Sequence, residues 1–459
     1  MPSWIEHALW WHVYPLGAVG ADTTGDAAPG PDDAPEHRLP QLEAWLDHVT
    51  DLGLNGLALG PVFASTTHGY DTVDHFAVDP RLGDADDLRH LVAAAHDRGV
   101  RVLLDGVFNH VGREHPFVRA ALADPGSPEA RLLARDADGG VVPFEGHALL
   151  VTLDHSSPDV EDLVVEVMTH WLDQGVDGWR LDAAYAVPTS FWARVLPRVR
   201  ERHPEAYVVA EVLHGDHAAF VAESGVDSVT QYELWKAVWS SLDQRNLYEL
   251  DWALQRHASF VDAFAPWTFV GNHDVTRIAS QVDDERHLPH AVVLLATLPG
   301  TPAVYAGDEF ELRAVKEERV GGDDAVRPAL PGTPGDAVSD GGFLGATTPD
   351  RARAMLALHQ ELLGLRRRHP WLHRAVVQRL SLTNETLAYE VRERDGGGRL
   401  VVALDLDDAE LVVEDAVSGP GAGGAGAGGA ASPVGLLAGS ASRRDASWVV
   451  PPHGWAVLG

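Results

Sequence analysis

The chain has 459 residues, with 35 Lys and Arg against 68 Asp and Glu, which gives a formal net charge of −33. Such a surface repels nucleic-acid phosphates and anionic lipid heads, so neither is an expected partner. There is no Cys, which excludes disulfides, thiolate nucleophiles and Cys-bound zinc.

Residues 1–14 show no basic stretch followed by an apolar run, and nowhere does an apolar run reach the roughly 18 residues of a membrane span. A cytoplasmic protein is expected. Residues 8–14 (ALWWHVY) read as a buried first strand ending at Pro15, and 17–40 as a polar loop. An amphipathic helix at 42–52 leads to a second strand at 54–59. A long polar loop is expected over 65–83, then a helix at 85–98 and a third strand at 100–104 that runs into Asp105–His110. The rhythm breaks over 111–153, which reads as an insertion. It resumes with a helix at 159–174, a strand ending at Asp182, a helix at 190–203 and a strand at 206–211. Further strands follow near 227–230, 267–270 and 301–305, with helices between them and a closing helix at 351–369.

Alternating strands and helices at this spacing predict a parallel sheet, and eight such units predict an α/β fold, a (β/α)8 TIM barrel. From Trp371 onward the pattern has period two (386–392, 399–405, 448–450), which predicts a C-terminal antiparallel β domain. The expected division is 1–110 and 154–370 for the barrel, 111–153 for a short domain B and 371–459 for the C-terminal domain. A formal GxGxxG at Gly421, Gly423 and Gly426 lies in a Gly/Ala-rich stretch with no helix pattern after it, so it reads as a loop and not a dinucleotide site. Most of the fourteen Trp are expected in the core.

In such a barrel the chemistry sits at strand C-termini. The polar residues there are His68 and Tyr70 after strand two; Asp105, Asn109 and His110 after strand three; Arg180 and Asp182 after strand four; Glu211 after strand five; and His273 and Asp274 after strand seven. Arg180 and Asp182, two apart in a strand, share a face, which predicts a cation holding an ionised Asp182. Glu211 follows an apolar strand, and burial beside other carboxylates is expected to raise its pKa. A proton donor facing a second carboxylate is what glycosidic cleavage needs, with Glu211 as acid and Asp182 as nucleophile. Taken singly, each residue is better explained as a helix cap or an ion-pair partner; all of them at the ends of consecutive units is not.

Four segments in order, DGVFNH (Asp105–His110), GWRLDAA (178–184), AEVLH (210–214) and VGNHD (270–274), resemble the signature regions of the α-amylase family of glycoside hydrolases, family 13. VTLDHSSPDV (151–160) resembles the point where domain B rejoins the barrel. The resemblance implies a retaining mechanism with Asp182 as nucleophile, Glu211 as acid/base and Asp274 as transition-state stabiliser. Arg180, His110 and His273 would be sugar contacts, Tyr70 would stack on the glucose beside His68, and Asp323 with Arg327 would clamp its hydroxyls. Calcium-binding members carry Lys-His where this chain has Tyr185 and Ala186. A calcium ligand is thus missing although Asn109 remains, and no metal or cofactor is expected.

The segments 211–214 and 225–233 look most like the neopullulanase and cyclomaltodextrinase branch, which normally carries an extra N-terminal β domain; this chain starts at strand one. The implied substrates are maltooligosaccharides, cyclodextrins or related α-glucans. Two alternatives stay open: a transglycosylase or glucoside isomerase on the same scaffold, and a non-catalytic sugar-binding relative. Oligomeric state is undetermined.

Overall fold

The computed structural model describes residues 2–25, 34–319, 321–339, 347–414 and 435–459. Eight short strands build the central sheet: β1 (Trp10–Val13), β2 (Gly56–Leu59), β3 (Arg101–Gly106), β4 (Gly178–Leu181), β5 (Tyr207–Ala210), β6 (Ser228–Val229), β7 (Trp267–Phe269) and β8 (Thr301–Tyr305). They are parallel throughout, in the order β6-β5-β4-β3-β2-β1-β8-β7. A single parallel bridge between Thr230 and Trp267 joins the two outer strands, so the sheet closes into the expected (β/α)8 barrel.

Strand alternation explains the filling. In β1, Trp11 faces outward and stacks on Trp45 at 5.7 Å. Trp10 faces inward, between Tyr207 at 6.1 Å and Trp267 at 5.2 Å, in a separate cluster with Ala58, Leu103, Val209, Phe269 and Ala303. Burying each such ring stabilises the fold by about 1.5–3 kcal/mol. Gly56 makes room for Trp10, because a Cβ there would lie 2.2 Å from the indole; Gly56→Ala would break this layer. As expected, the tryptophans are largely core: Trp10, Trp11, Trp45, Trp171, Trp179 and Trp192 are fully buried.

The polar stretch 65–83 is not the loop expected. Phe63–Ser65 pairs antiparallel with Thr72–Val78. Its polarity comes from a buried ion pair that fastens the hairpin. Arg81 donates from Nε and Nη2 to the two Asp79 oxygens at 2.8 and 2.6 Å, and from Nη1 to the carbonyls of Asp22 (2.6 Å) and Thr67 (2.5 Å). Between β3 and the helix Pro158–Asp173, strands His110–Gly112, Pro143–Phe144 and His147–Thr152 form a small antiparallel sheet beside the helix Pro116–Ala123.

The C-terminal region is antiparallel, as the period-two pattern predicts. Its strands are β9 (Val376–Leu382), β10 (Thr386–Arg392), β11 (Arg399–Asp405), β12 (Leu411–Glu414), β13 (Leu436–Gly439), β14 (Ser442–Arg444), β15 (Ser447–Val450) and β16 (Trp455–Leu458). They form one sheet in the order β9-β10-β11-β16-β13 and another in the order β12-β15-β14. Polar contacts tie the region to the helix Leu288–Thr297: His290 Nε2 reaches the Gly454 carbonyl at 2.9 Å, and Thr297 bonds the Tyr389 hydroxyl at 2.7 Å. Gly421, Gly423 and Gly426 lie outside the described residues. Among the described residues, no helix is long and apolar enough to cross a membrane.

Candidate active site

The inward alternation that places Trp10, Leu103 and Val209 in the barrel also places His12, Asp105 and Glu211 two residues further on, at the C-terminal rim. Arg180 and Asp182 follow the same rule on β4. The ladder continues one step past the strands: Asp182 N–H donates to Gly106 O at 3.0 Å and Glu211 N–H to Leu181 O at 2.9 Å. Both backbones are therefore fixed by the sheet. Ala183 then turns into the left-handed region (φ 44°, ψ 33°), which costs a non-glycine residue on the order of 1 kcal/mol. That turn aims its N–H at Glu211 Oε2, 2.9 Å away.

Arg180 is the hub. Its Nη1 donates to both Asp105 oxygens (2.9 and 2.7 Å) and to Asp182 Oδ1 (3.1 Å). Its Nη2 lies 2.9 Å from Glu211 Oε1 and 4.0 Å from Asp274 Oδ2. Glu211 Oε1 also accepts from the Tyr232 hydroxyl at 3.0 Å, and Asn272 Nδ2 donates to that hydroxyl at 2.8 Å. Asp274 is shared with the rim: Arg327 Nη2 donates to its Oδ1 at 2.8 Å and to Asp323 Oδ2 at 3.2 Å. Lys316 Nζ closes the row at 3.0 Å from Asp323.

One guanidinium among three buried carboxylates sets the electrostatics. Burial pushes the Asp182 carboxyl well above its usual range; Arg180 opposes this, while Glu211, Asp105 and Asp274 add to it. Burial likewise carries Asp105 up to about 6 against Arg180. Asp274 goes the other way: the His273 N–H, Arg327 and Arg180 outweigh its burial and hold it below the carboxylate range. Asp182 was expected to be held ionised at neutral pH by Arg180; burial and the neighbouring carboxylates instead push it towards the neutral form. Arg180 is not its private partner but is shared with Asp105 and Glu211.

The rim histidines are neutral. Burial takes His110 and His12 down to about 3 and His273 well below its ordinary value. His273 Nε2 faces Asp274 Oδ2 at 3.0 Å, which places its proton on Nε2; Nδ1 then accepts from His12 Nε2 at 3.2 Å. Tyr70 stacks on His273 at 5.6 Å, its hydroxyl contacts His273 Nε2, and it donates to Asp105 Oδ2 at 3.1 Å. His110 Nε2 reaches the Tyr70 carbonyl at 3.1 Å. His68 Nδ1 accepts from the Tyr70 N–H at 3.3 Å, and Arg327 lies over the Tyr14 ring at 4.8 Å.

Every residue singled out in the sequence therefore comes to one cleft: His68, Tyr70, His110, Arg180, Asp182, Glu211, His273, Asp274, Asp323 and Arg327. Tyr232, Asn272, His12 and Tyr14 join them without having been expected. Phe144, from the small sheet after β3, stacks on His110 at 4.6 Å, and Glu145 accepts from the Tyr185 hydroxyl at 2.9 Å. Asn109 is buried with Nδ2 3.1 Å from His110 Nδ1. Among the described residues, the groups of His, Asp and Glu spaced to hold a cation, Asp284–His287–His453 and His37–Asp84–Asp87, do not include it.

An eight-stranded parallel barrel with acidic side chains gathered at its C-terminal rim defines a (β/α)8-barrel protein with an enzyme-type cleft. A sequence profile described as "Alpha amylase, catalytic domain" matches residues 41–134 and 145–373, and the chain belongs to the α-amylase family. A cyclomaltodextrinase from Bacillus sp is 32% identical over 337 residues, 68% of this chain and 60% of that protein. Neopullulanase 2 from Thermoactinomyces vulgaris is 28% identical over 72% of this chain and 60% of its own length. The chain thus spans about 60% of these curated relatives. A solved cyclomaltodextrinase structure overlays with a TM-score of 0.80 at 24% identity, over all of this chain and 79% of the other.

Proposed function

We propose that the protein is a retaining glycoside hydrolase acting on the α-glucosidic bonds of maltooligosaccharides or cyclodextrins, and that it does so in the cytoplasm. The observation that carries this reading is the sharing of one guanidinium: Asp182 Oδ1 and Glu211 Oε1 each contact a different nitrogen of Arg180. Carboxyls hung on neighbouring nitrogens of one guanidinium suit the separation of about 5–5.5 Å of a retaining pair. The names of the relatives supply the substrate class.

In the first step Glu211, as the acid, gives a proton to the glycosidic oxygen as Asp182 Oδ attacks C1 from the opposite face. The C1–O bond breaks and an ester forms at Asp182. In the second step ionised Glu211 takes a proton from water, whose oxygen attacks C1 and frees Asp182. Asp274, kept ionised, stabilises the oxocarbenium-like charge. Tyr70 and His68 pack on the sugar, and His110, Arg180, His273, Asp323 and Arg327 bond its hydroxyls. The barrel (1–110, 154–370) would supply the chemistry, segment 111–153 a wall through Phe144 and Glu145, and 371–459 support. A sugar hydroxyl in place of water would make the same ester a transferase intermediate.

Chromatography of products from maltotriose, β-cyclodextrin, pullulan and sucrose tests this. Glucose and maltose are expected; longer oligomers or rearranged disaccharides would replace hydrolysis with transfer. Asp182→Asn should lose on the order of 10⁴-fold or more in kcat with unchanged circular dichroism. Turnover near that of the wild type would sink the assignment.

A further inference from the structure

The other end of the barrel has a cavity of about 240 Å³, walled by His7, Leu9, Arg366, Arg367 and His373. Leu9 immediately precedes β1, so this pocket lies under the strand N-termini, away from the carboxylate cleft. Its chemistry is the reverse of the rest of the molecule. Arg366 is buried, and its guanidinium donates to the carbonyls of Ala296 (2.9 Å), Leu298 (2.7 Å) and Gly300 (2.6 Å). Arg367 donates to the carbonyls of Gly53 (2.5 Å) and His7 (2.8 Å).

The Ala296 and Leu298 carbonyls, at the C-terminal end of the helix Leu288–Thr297, offset part of the charge but bring no full anion. Among the described residues, no carboxylate lies within 4.0 Å of either guanidinium, whereas buried Arg81, Arg180, Arg277 and Arg327 each have one. In a chain with 68 acidic residues and 35 basic ones, an uncompensated arginine pair is the exception. Burial lowers Arg366 to about 9, and no anion opposes the shift. His373, a third wall residue, is buried with no hydrogen-bond partner for Nε2. Burial, and then Arg366, Arg374 and His7, hold it neutral. Glu6 also lines the pocket, but one carboxylate leaves the two arginines in excess.

We propose that this pocket binds a phosphate dianion, either inorganic phosphate or the phosphate group of a sugar monoester, through Arg366, Arg367 and the His373 ring. A guanidinium has five N–H groups; the carbonyls use three on Arg366 and two on Arg367, so donors remain on both. Two fixed positive charges and forked donors match a tetrahedral dianion. The volume exceeds that of one phosphate, leaving space for an attached sugar.

The test is calorimetric titration of the full chain in a phosphate-free buffer at fixed low ionic strength, with inorganic phosphate, glucose 6-phosphate and sodium chloride as separate titrants. Saturable binding of a phosphate species is expected, weakened about tenfold or more in Arg367→Gln. Arg366→Gln removes three carbonyl bonds and can unfold the chain, so His373→Gln is the second variant, with its melting curve as the fold control; weaker phosphate binding is expected there also. Binding of inorganic phosphate alone, or tighter binding of the sugar phosphate, would each support the site and identify its source. No saturable heat with either phosphate, equal heat with chloride, or unchanged binding in both Arg367→Gln and His373→Gln would overturn it.

Discussion

Arg81 and Arg180 are both buried in the barrel's upper half, and each bonds to carboxylate, but the two neighbourhoods differ in arithmetic. Arg81 meets one carboxylate, Asp79, with a two-pronged contact, and its remaining nitrogens are used by nearby oxygens. Charge and hydrogen bonds balance, and the result is a fastened hairpin. Arg180 meets Asp105, Asp182 and Glu211 at once, with Asp274 just beyond. The cation is over-subscribed, and burial pushes the Asp182 and Asp105 carboxyls upward against it. A closed pair serves architecture, whereas an over-subscribed cation is a reservoir for proton transfer.

The contrast can be broken first at the arginines. Each of Arg81→Met and Arg180→Met strands buried carboxylate and should cost about 3–5 kcal/mol in unfolding free energy by denaturant titration. Only Arg180→Met should also lose on the order of 10³-fold or more in kcat/KM, with Arg81→Met acting chiefly through stability. Equal activity losses would erase the distinction.

A second test uses pH. Burial sets Asp105 near 6 in the folded state against 3.8 unfolded. Between those values the folded chain holds the extra proton, so that stabilisation is present at low pH and lost as pH rises through about 6. Asp105→Asn cannot titrate. Its stability relative to wild type should therefore climb by up to about 3 kcal/mol between pH 3.5 and 7 in paired denaturation curves. A flat difference would mean that Asp105 is not under this strain. The smallest effect is at the mouth, where Tyr185→Phe removes the bond to Glu145. A change of about 1 kcal/mol or less is expected, read as a few-fold shift in KM with kcat kept. A large fall in kcat would instead put Tyr185 among the reacting groups.

Much of the site was legible because barrel geometry turns chain order into spatial order. Residues following strands three, four, five and seven had to converge, and the i, i+2 rule put Arg180 with Asp182. Tyr232 and Asn272 were missed for a physical reason. Tyr232 opens an amphipathic helix, where a tyrosine usually means packing, and only the fold brings its hydroxyl to Glu211. The sharing of Arg180 was not foreseen because sequence shows neighbours along the chain and not the carboxylates of β3 and β5 competing for the same cation. The hairpin at 63–78 was hidden by polar residues that are buried as pairs. In the C-terminal region Thr386–Arg392 and Arg399–Asp405 were legible, while Leu411–Glu414 and Ser442–Arg444 were too short to give a period.

The barrel's hoop is unevenly fastened. β6 has two residues, and the joint to β7 is the single Thr230–Trp267 bridge with the Gln231 N–H to Trp267 carbonyl bond beside it. Few ladder bonds mean a low free energy of local opening, so the hoop parts there before it parts elsewhere. Tyr232 and Asn272 stand on the two sides of that seam, and their bond is what presents the tyrosine hydroxyl to Glu211. Breathing of the seam therefore loosens the grip on one oxygen of Glu211, coupling the mechanical weak point of the cylinder to the residue proposed as the acid.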